Sequence, residues 1–281
     1  MAGAETGFNA QLATRWAAAD SLLCVGIDPE PGRWPTPLVD DPDRVFAFGK
    51  AIVDATAEYA CAFKPQIAHF AAQGAEEALA RLIAHIHDAH PGIPVILDAK
   101  RGDIGSTAQN YAREAFDRYR ADAVTANPYL GSDSLAPFLE RTEKGVVVLC
   151  RTSNPGAADL QDLPVLGADG RTRPLYQRVA EKAARDWNSC GNLSLVVGAT
   201  WPQQLGEVRA IVGPDVPLLV PGIGAQGGDL EAVLAHGLNA GRAGLVISSS
   251  RAILYASSGA DFAQAAGLAA RATRDLINRF R

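Results

Sequence analysis

The stretch Val95-Ile-Leu-Asp98-Ala-Lys100-Arg-Gly-Asp103-Ile104-Gly105 decides how the rest of this 281-residue chain is read. Its apolar opening marks Ile93–Lys100 as a buried strand. Side chains on a strand alternate faces with period 2, so Asp98 and Lys100 point the same way. Asp103 follows just past the strand end, where Gly102 and Gly105 let the chain bend. Two carboxylates and an ammonium thus gather in one small region, a cluster that is costly to bury unless paired. A salt bridge at a strand end would account for it equally well. The D-x-K-x-x-D spacing alone is expected by chance in roughly one chain in fifteen of this size, so the remaining sequence must decide.

Working outward, the chain alternates short apolar runs with helical periodicities. Phe8–Asp20 is expected as a leading helix, with Leu12 and Trp16 on one face. Leu22–Ile27 is a strand ending in Asp28-Pro29, and Asp43–Tyr59 a helix with Val45, Phe48, Ile52, Ala55 and Tyr59 at spacings of three and four. Cys61–Lys64 is a strand stopped by Pro65. Ala71–His90 is a helix with Ala75, Leu79, Leu82 and Ile86 inward. After the Ile93–Lys100 strand come a helix over Thr107–Arg120, a strand over Ala123–Ala126, a helix over Asp133–Arg141 and a strand over Gly145–Cys150. The connection from Arg151 to Arg173 is long and rich in Gly, Pro and Asp. Helix Pro174–Asn188, strand Leu193–Gly198, helix Pro202–Val212, strand Pro217–Val220, helix Gln226–His236 and strand Ala243–Ser248 follow. Ala260–Phe280 closes the chain, with Phe262, Ala265, Ala269, Ala272, Leu276 and Phe280 on one stripe.

Eight strands alternating with helices, without a composition break, predict one (β/α)₈ TIM barrel domain over 1–281. A doubly wound sheet is the structural alternative. Catalytic groups of barrels sit at the C-terminal strand ends. The polar exceptions lie there: Asp28, Lys64, Asp98, Lys100, Asn127, Ser153 and Arg251. That placement favours the barrel.

Bulk composition narrows the function. Hydrophobic residues make up 48% and charged residues 20%, an ordinary globular balance, and the net charge is −5. No basic stripe argues for nucleic acid. The longest apolar runs are far too short for a membrane span, and no secretory leader is visible. Cys24, Cys61, Cys150 and Cys190 form no C-x-x-C pair; the first three read as buried free thiols. A cytoplasmic protein is expected.

Three constellations carry chemistry. Lys64 ends strand two beside Asp98 and Lys100 of strand three, and neighbouring strands lie about 4.8 Å apart, so the charges can interleave at the barrel mouth. Gly222-Ile-Gly224-Ala-Gln226-Gly227-Gly228 follows strand seven, and Ser248-Ser249-Ser250-Arg251 follows strand eight and opens a helix. Barrels often hold phosphate with these two loops, where glycines admit backbone N–H groups and an arginine adds a charge-assisted contact. The third is the loop Arg151-Thr-Ser153-Asn154-Pro-Gly156, long enough for a lid or substrate-reading element; its distal part, 157–169, reads equally as a tolerated insertion. His85, His87 and His90 crowd one helix end, but residues two apart share no face, and no metal site is expected there. His69 follows strand two and reads as mouth packing. Ser106 and Ser153 have no evident histidine partner, so a nucleophile triad has little support.

Asp98-Ala-Lys100-Arg-Gly-Asp103-Ile104-Gly-Ser-Thr107 resembles the signature of the orotidine 5′-phosphate decarboxylase family. Phe63-Lys64, Asn127-Pro-Tyr-Leu-Gly, Pro221-Gly-Ile-Gly-Ala-Gln226-Gly-Gly-Asp and Ser250-Arg251 are similar too, and the likeness runs from Val25 to about Tyr255. The length and the Arg151–Arg173 insertion resemble the longer-chain bacterial branch. Two segments depart from the pattern: Lys64 is followed by Pro-Gln-Ile-Ala-His, and loop eight reads Ser-Ser-Ser-Arg251.

The resemblance implies decarboxylation of orotidine 5′-monophosphate to UMP by a homodimer, with no metal or organic cofactor. It implies Lys100 as proton donor to C6, Asp98 beside the substrate carboxylate, and Lys64 bonded to Asp98 and the ribose. Asp103, Ile104 and Thr107 would reach into the partner subunit's site. Asp28 would bind ribose hydroxyls, Ser153 the pyrimidine edge, and Gln226 and Arg251 the phosphate; Asn127 and Pro221 would complete the pocket. An ammonium set between carboxylates suits a donor and opposes an amine-nucleophile role, which needs a neutral lysine. Strand six also lacks the lysine of a Schiff-base aldolase. The rivals are a metal-dependent sugar-phosphate decarboxylase or aldolase and a non-catalytic phosphosugar-binding barrel.

Overall fold

The computed structural model describes residues 7–223 and 229–281. Eight strands form the inner wall: β1 Leu23–Ile27, β2 Ala62–Pro65, β3 Ile96–Arg101, β4 Ala123–Ala126, β5 Gly145–Arg151, β6 Leu193–Val197, β7 Leu218–Pro221 and β8 Leu245–Ser249. All pair in parallel, in the spatial order β2-β1-β8-β7-β6-β5-β4-β3. Two isolated bridges, Phe63↔Val95 and Gln66↔Asp98, join β2 to β3 and close the ring. The fold is a (β/α)₈ TIM barrel. β1, β2, β4, β6 and β8 are buried along their whole length, because helices cover the outer faces while side chains fill the interior. This is why the strands read as unbroken apolar runs and not as alternating ones.

The leading helix is Phe8–Ala19, buried through Phe8, Leu12, Trp16 and Ala19. It closes the N-terminal end of the barrel. A Cβ added to Gly145, the first residue of β5, would collide with the Phe8 ring. Asn9 donates to the Gly191 carbonyl ahead of β6, and Arg15 donates to the Ala60 carbonyl ahead of β2. Arg209 does similar work on the other half of this floor. From helix Pro202–Val212 it turns inward and donates to the carbonyls of Gly213, Val216, Gly237 and Gly244 at 2.7–3.0 Å. Burial lowers its pKa to about 10, with only Asp215 opposing; the carbonyls take the place of a counter-ion. Nothing in the sequence pattern marks this arginine as internal.

Several expected boundaries move. The helix expected over Ala71–His90 begins five residues later, as Glu76–Ala89; a separate short helix, Ile67–Ala71, precedes it, and Gly74, with a φ of +62°, lies in the turn between them. The Thr107–Arg120 helix begins earlier, as Gly105–Arg113, and finishes in a π-helical turn over Glu114–Arg118. The Arg151–Arg173 connection is ordered. It holds a short helix, Ala158–Gln161, and a hairpin pairing Pro164–Leu166 with Thr172–Pro174. In the closing helix, Phe262–Phe280, the buried stripe is Phe262, Ala266, Ala270 and Ile277, one position on from the expected one; Leu276 and Phe280 face solvent. The seventh barrel helix is described from Leu230, and residues 226–228 of its expected start lie outside the described residues.

Cys24, Cys61 and Cys150 are buried free thiols and Cys190 is exposed. Burial pushes the thiols of Cys24 and Cys150 up to about 12. No helix among the described residues is long and apolar enough to cross a membrane.

Arg209→Ala takes the side-chain donor from four carbonyls; Gly244 O keeps the Leu218 N–H, whereas the buried carbonyls of Val216 and Gly237 are left without one. Each buried unsatisfied group costs about 1–3 kcal/mol, so the variant should lose at least about 2 kcal/mol in urea unfolding. A loss under about 1 kcal/mol would show that water replaces the guanidinium freely.

Candidate active site

At the C-terminal rim, Asp98 of β3 collects the charges. Its Oδ2 accepts a hydrogen bond from Lys64 Nζ of β2 at 2.9 Å, and its Oδ1 accepts from Lys100 Nζ at 2.7 Å and from Thr125 Oγ1 of β4 at 2.9 Å. Asp98 and Lys64 are buried, whereas the Lys100 side chain keeps 47% of its surface open. The two lysines therefore differ in kind. Lys64 is walled in, and Lys100 presents its ammonium at the open mouth.

Burial works against the charge on Asp98, but Lys64 and then Lys100 outweigh it and hold the carboxyl well below the usual range. Burial likewise opposes the Lys64 ammonium, but Asp98 and then Asp28 outweigh it and hold its pKa above the ordinary lysine value.

The geometry behind this cluster is not plain strand alternation. Pairing of β3 with β4 runs from Leu97↔Val124 to Arg101↔Ala126, with a register shift between. Lys100 has φ +47°, a left-handed conformation rare for any residue but glycine. The side chains of Asp98 and Lys100 do meet, through a bulge that the sequence spacing does not reveal.

Asp28 follows β1. Its Oδ2 accepts from Ser250 Oγ at 2.6 Å, while its Oδ1 is buried with no hydrogen-bond partner among the described residues. A buried carboxylate oxygen without a donor is unusual in a folded protein and fits a place for a ligand hydroxyl. Tyr255 braces the same turn, donating to the Asp28 carbonyl at 3.1 Å and accepting from Glu30 N at 2.7 Å. Ser250 and Tyr255 were not anticipated in these roles.

Ser248 and Ser249 belong to β8 and are buried, so the strand-eight loop proper begins at Ser250. Arg251 is exposed and opens a helix of one turn, Arg251–Leu254, too short for its dipole to matter. At this turn the charge offered to an anion is the Arg251 guanidinium, not a helix dipole. Pro221 ends β7 half-buried, and Gln226 lies outside the described residues.

Ser153 follows β5 and is half-buried; a Cβ on Gly198 would meet its backbone at 2.7 Å. Its neighbours are clamped. Arg151, fully buried, pairs with Asp162 at 2.9 Å and lies 4.0 Å over the Trp201 ring, and Trp201 Nε1 donates to the Thr152 carbonyl.

Asn127 is exposed, and its Oδ1 accepts from Tyr129 N, capping the turn after β4. Asp103 accepts from Ile104 N at 2.8 Å. Ile104 and Thr107 are exposed, with Tyr129 and Leu130 also exposed on the neighbouring loop. None of Asp103, Ile104 and Thr107 is hydrogen-bonded to the Asp98 cluster among the described residues. His69 is half-buried in the short helix after β2.

The histidines sort differently from their sequence crowding. His85 and His90 both place Nε2 on Asp54 Oδ1, at 2.6 and 2.8 Å, while His87 meets Asp122. Asp54, His85 and His90 are the described group close enough to hold a metal ion. They lie towards the N-terminal end of the barrel, remote from Lys100, and Lys50 already pairs with Asp54.

With this geometry in hand, the chain matches the model of the "Orotidine 5'-phosphate decarboxylase / HUMPS family" over residues 21–266. The chain belongs to this family. It is 60% identical to an orotidine 5′-phosphate decarboxylase of Ralstonia nicotianae over 98% of this chain and 99% of that one, and 59% identical, at the same coverages, to its counterpart in an Azoarcus species. Among solved structures, an OMP decarboxylase of Leishmania donovani superposes with a TM-score of 0.83 at 42% identity, covering 98% of each chain.

The shifted ionisations set the pH limits of the buried pair. Folded Asp98 binds its proton more weakly than in the unfolded chain, so its contribution to stability is present above the ordinary value of 3.8 and is lost as pH falls through its lower folded pKa. Folded Lys64 binds its proton more tightly, so its contribution is present below 10.5 and is lost as pH rises through its higher folded pKa. Asp98→Ala leaves Lys64 buried without its counter-charge and should cost about 3–5 kcal/mol at pH 7. The double variant Lys64→Met/Asp98→Leu should recover most of that loss and flatten both pH limbs in urea titrations. A double variant no more stable than Asp98→Ala would reject this electrostatic account.

Proposed function

We propose that this carbon–carbon lyase converts orotidine 5′-monophosphate to UMP and CO₂, with Lys100 as the proton donor. The observation that carries the reading is the Lys64–Asp98–Lys100 array, in which one ammonium is buried as a counter-ion and the other is held beside the same carboxylate yet open to the barrel mouth. The decarboxylase names of relatives at about 60% identity over almost the full chain support the substrate.

The reaction breaks the bond from C6 to the carboxylate carbon and leaves the electron pair on C6. The pyrimidine ring delocalises that pair poorly. An ammonium fixed beside C6 stabilises it as it forms, then supplies the proton and is itself reprotonated from solvent. Repulsion between Asp98 and the substrate carboxylate is the competing source of acceleration. At about 4 Å and an effective dielectric of about 20 it is worth roughly 4 kcal/mol before lysine screening, against the about 8–23 kcal/mol enzymes commonly supply. Stabilisation of the carbanion by Lys100 therefore ranks first.

The remaining groups fall into place around that centre. Asp28 Oδ1 receives a ribose hydroxyl, Lys64 bonds Asp98 and the ribose, and Ser153 on its clamped loop reads the pyrimidine edge. Arg251 and Gln226 hold the phosphate, and Pro221 lines the pocket. Asp103, half-buried, and Ile104 and Thr107, exposed near Tyr129 and Leu130, extend into a second subunit's site in a homodimer. Asn127 acts indirectly, by capping the loop that carries Tyr129. Phosphate binding energy is then available to the chemical step at the other end of the substrate. No step requires a metal or organic cofactor. A metal-dependent sugar-phosphate reaction would require ligands at the mouth, and the described metal-spaced cluster lies at the other end of the barrel. Cytoplasmic pyrimidine synthesis is the setting this chemistry serves.

Lys100→Ala should abolish the loss of orotidine monophosphate absorbance while the thermal transition persists; near-normal turnover would reject the donor role. Arg251→Ala should raise KM, and an unchanged KM would remove that side chain from the phosphate site. Mixing inactive Lys100→Ala and Asp103→Ala subunits should restore activity in hybrid dimers, since one of the two shared sites is then intact. Mixtures as inactive as the parents would refute a shared site.

A further inference from the structure

Thr125 is the polar residue of β4, in the run Ala123-Val-Thr-Ala126, and it is 1% exposed. Its hydroxyl makes three hydrogen bonds of 2.9 Å. It donates to Asp98 Oδ1 and accepts from the backbone N–H groups of Ala99 and Lys100. A hydroxyl has one proton and two lone pairs, so its capacity is fully used, and every bond goes to the segment that carries the reacting lysine.

The backbone explains why such a device is needed. Between the paired positions Leu97↔Val124 and Arg101↔Ala126, β3 advances four residues while β4 advances two. The surplus is thrown into a bulge holding Asp98, Ala99 and Lys100, and Thr125 is the β4 residue facing it. The regular ladder is interrupted there, and the hydroxyl receives the amides of Ala99 and Lys100 in its place. Lys100 pays for the bend with a φ of +47°. For an L-residue with a β-carbon that conformation costs about 1–2 kcal/mol, and it persists only where surrounding contacts over-determine it.

We propose that Thr125 is the positioning residue for Lys100: its hydroxyl locks the left-handed bulge and fixes the Asp98 oxygen against which the Lys100 ammonium rests. Thr125 acts through its neighbours, and the inference rests on the reading of Lys100 as proton donor. Its effect belongs to the chemical step, because a misplacement of about 1 Å at a reacting group can cost roughly 10²-fold in rate, whereas ground-state binding through Asp28 and Arg251 is untouched.

The test compares Thr125→Val, which keeps the shape and deletes the hydroxyl, with Thr125→Ser, which keeps the hydroxyl. Steady-state kinetics on orotidine monophosphate should show kcat lowered roughly 10²-fold in Thr125→Val, KM near the parent value, and kcat largely restored in Thr125→Ser. A crystal structure of Thr125→Val should show Lys100 out of the left-handed region. If Thr125→Val does not fold, Thr125→Ala removes the same hydroxyl with less steric demand and should show the same kcat-only loss. A hydroxyl-free variant with near-parental kcat, or a Thr125→Ser variant as slow as Thr125→Val, overturns the proposal. Lys100→Ala run alongside separates the two failures. Should it stay active, the donor reading falls; should it be inactive while the hydroxyl-free variant keeps its rate, the positioning role alone falls.

Discussion

The carboxylate of Asp98 is the point on which the active end of the barrel depends. It binds side chains from three consecutive strands, Lys64 on β2, Lys100 on its own β3 and Thr125 on β4. It also sits at the seam of the barrel, where β2 and β3 meet through isolated bridges, one of them at Asp98 itself. The ion pair to Lys64 thus crosses the place where backbone pairing is sparsest. A buried charge pair seldom adds net stability over a well-packed apolar one. Its retention here matches the chemistry required: Lys64 neutralises and orients the carboxylate from behind, and the carboxylate steadies Lys100 at the front.

Division of labour between the two ends of the barrel follows from the same principle. The N-terminal end is packed shut by the Phe8–Ala19 helix and by Arg209, whose four carbonyl partners tie together the segments around β7 and β8. At the C-terminal end, polar groups replace apolar ones strand by strand, from Asp28 through Lys64, Asp98 and Ser153 to Arg251. Buried polar groups at a functional end work against stability, and a rigid floor offsets that. The long excursion after β5 joins the active end through Arg151, whose guanidinium is sandwiched between Trp201 and Asp162. Ser153 is therefore set by the barrel wall, whatever the hairpin beyond it does.

Much of this was legible in the sequence, for physical reasons that can be named. Strands buried on both faces leave continuous apolar runs, so strand Ala123–Ala126 falls where its run puts it, and helix Pro202–Val212 falls where its own period does. The charges at strand ends stand out because the runs that lead to them hold no other charged residue. What stayed hidden depends on backbone conformation or on distant partners. Gly74 puts a turn where the helical pattern already runs, through its φ and not its hydropathy. The stripe of the last helix was misplaced by one residue because alanines fill both candidate faces, leaving Ile277 against Leu276 to decide. The Lys100 bulge was invisible because alternation and bulge both bring Asp98 and Lys100 together. Arg209 looks like any surface arginine of a helix until its four acceptors arrive from elsewhere in the chain.

The distribution of thiols has a practical corollary. Cys24 lies under Lys64, with Cys61 and Cys150 equally enclosed, while Cys190 is exposed in the turn ahead of β6. That turn also receives the Asn9 side chain from the leading helix. A fluorophore carried by a maleimide would consequently settle on one cysteine, at the sealed end. It would report docking of the leading helix in real time and leave the rim that carries Lys100 chemically unmarked.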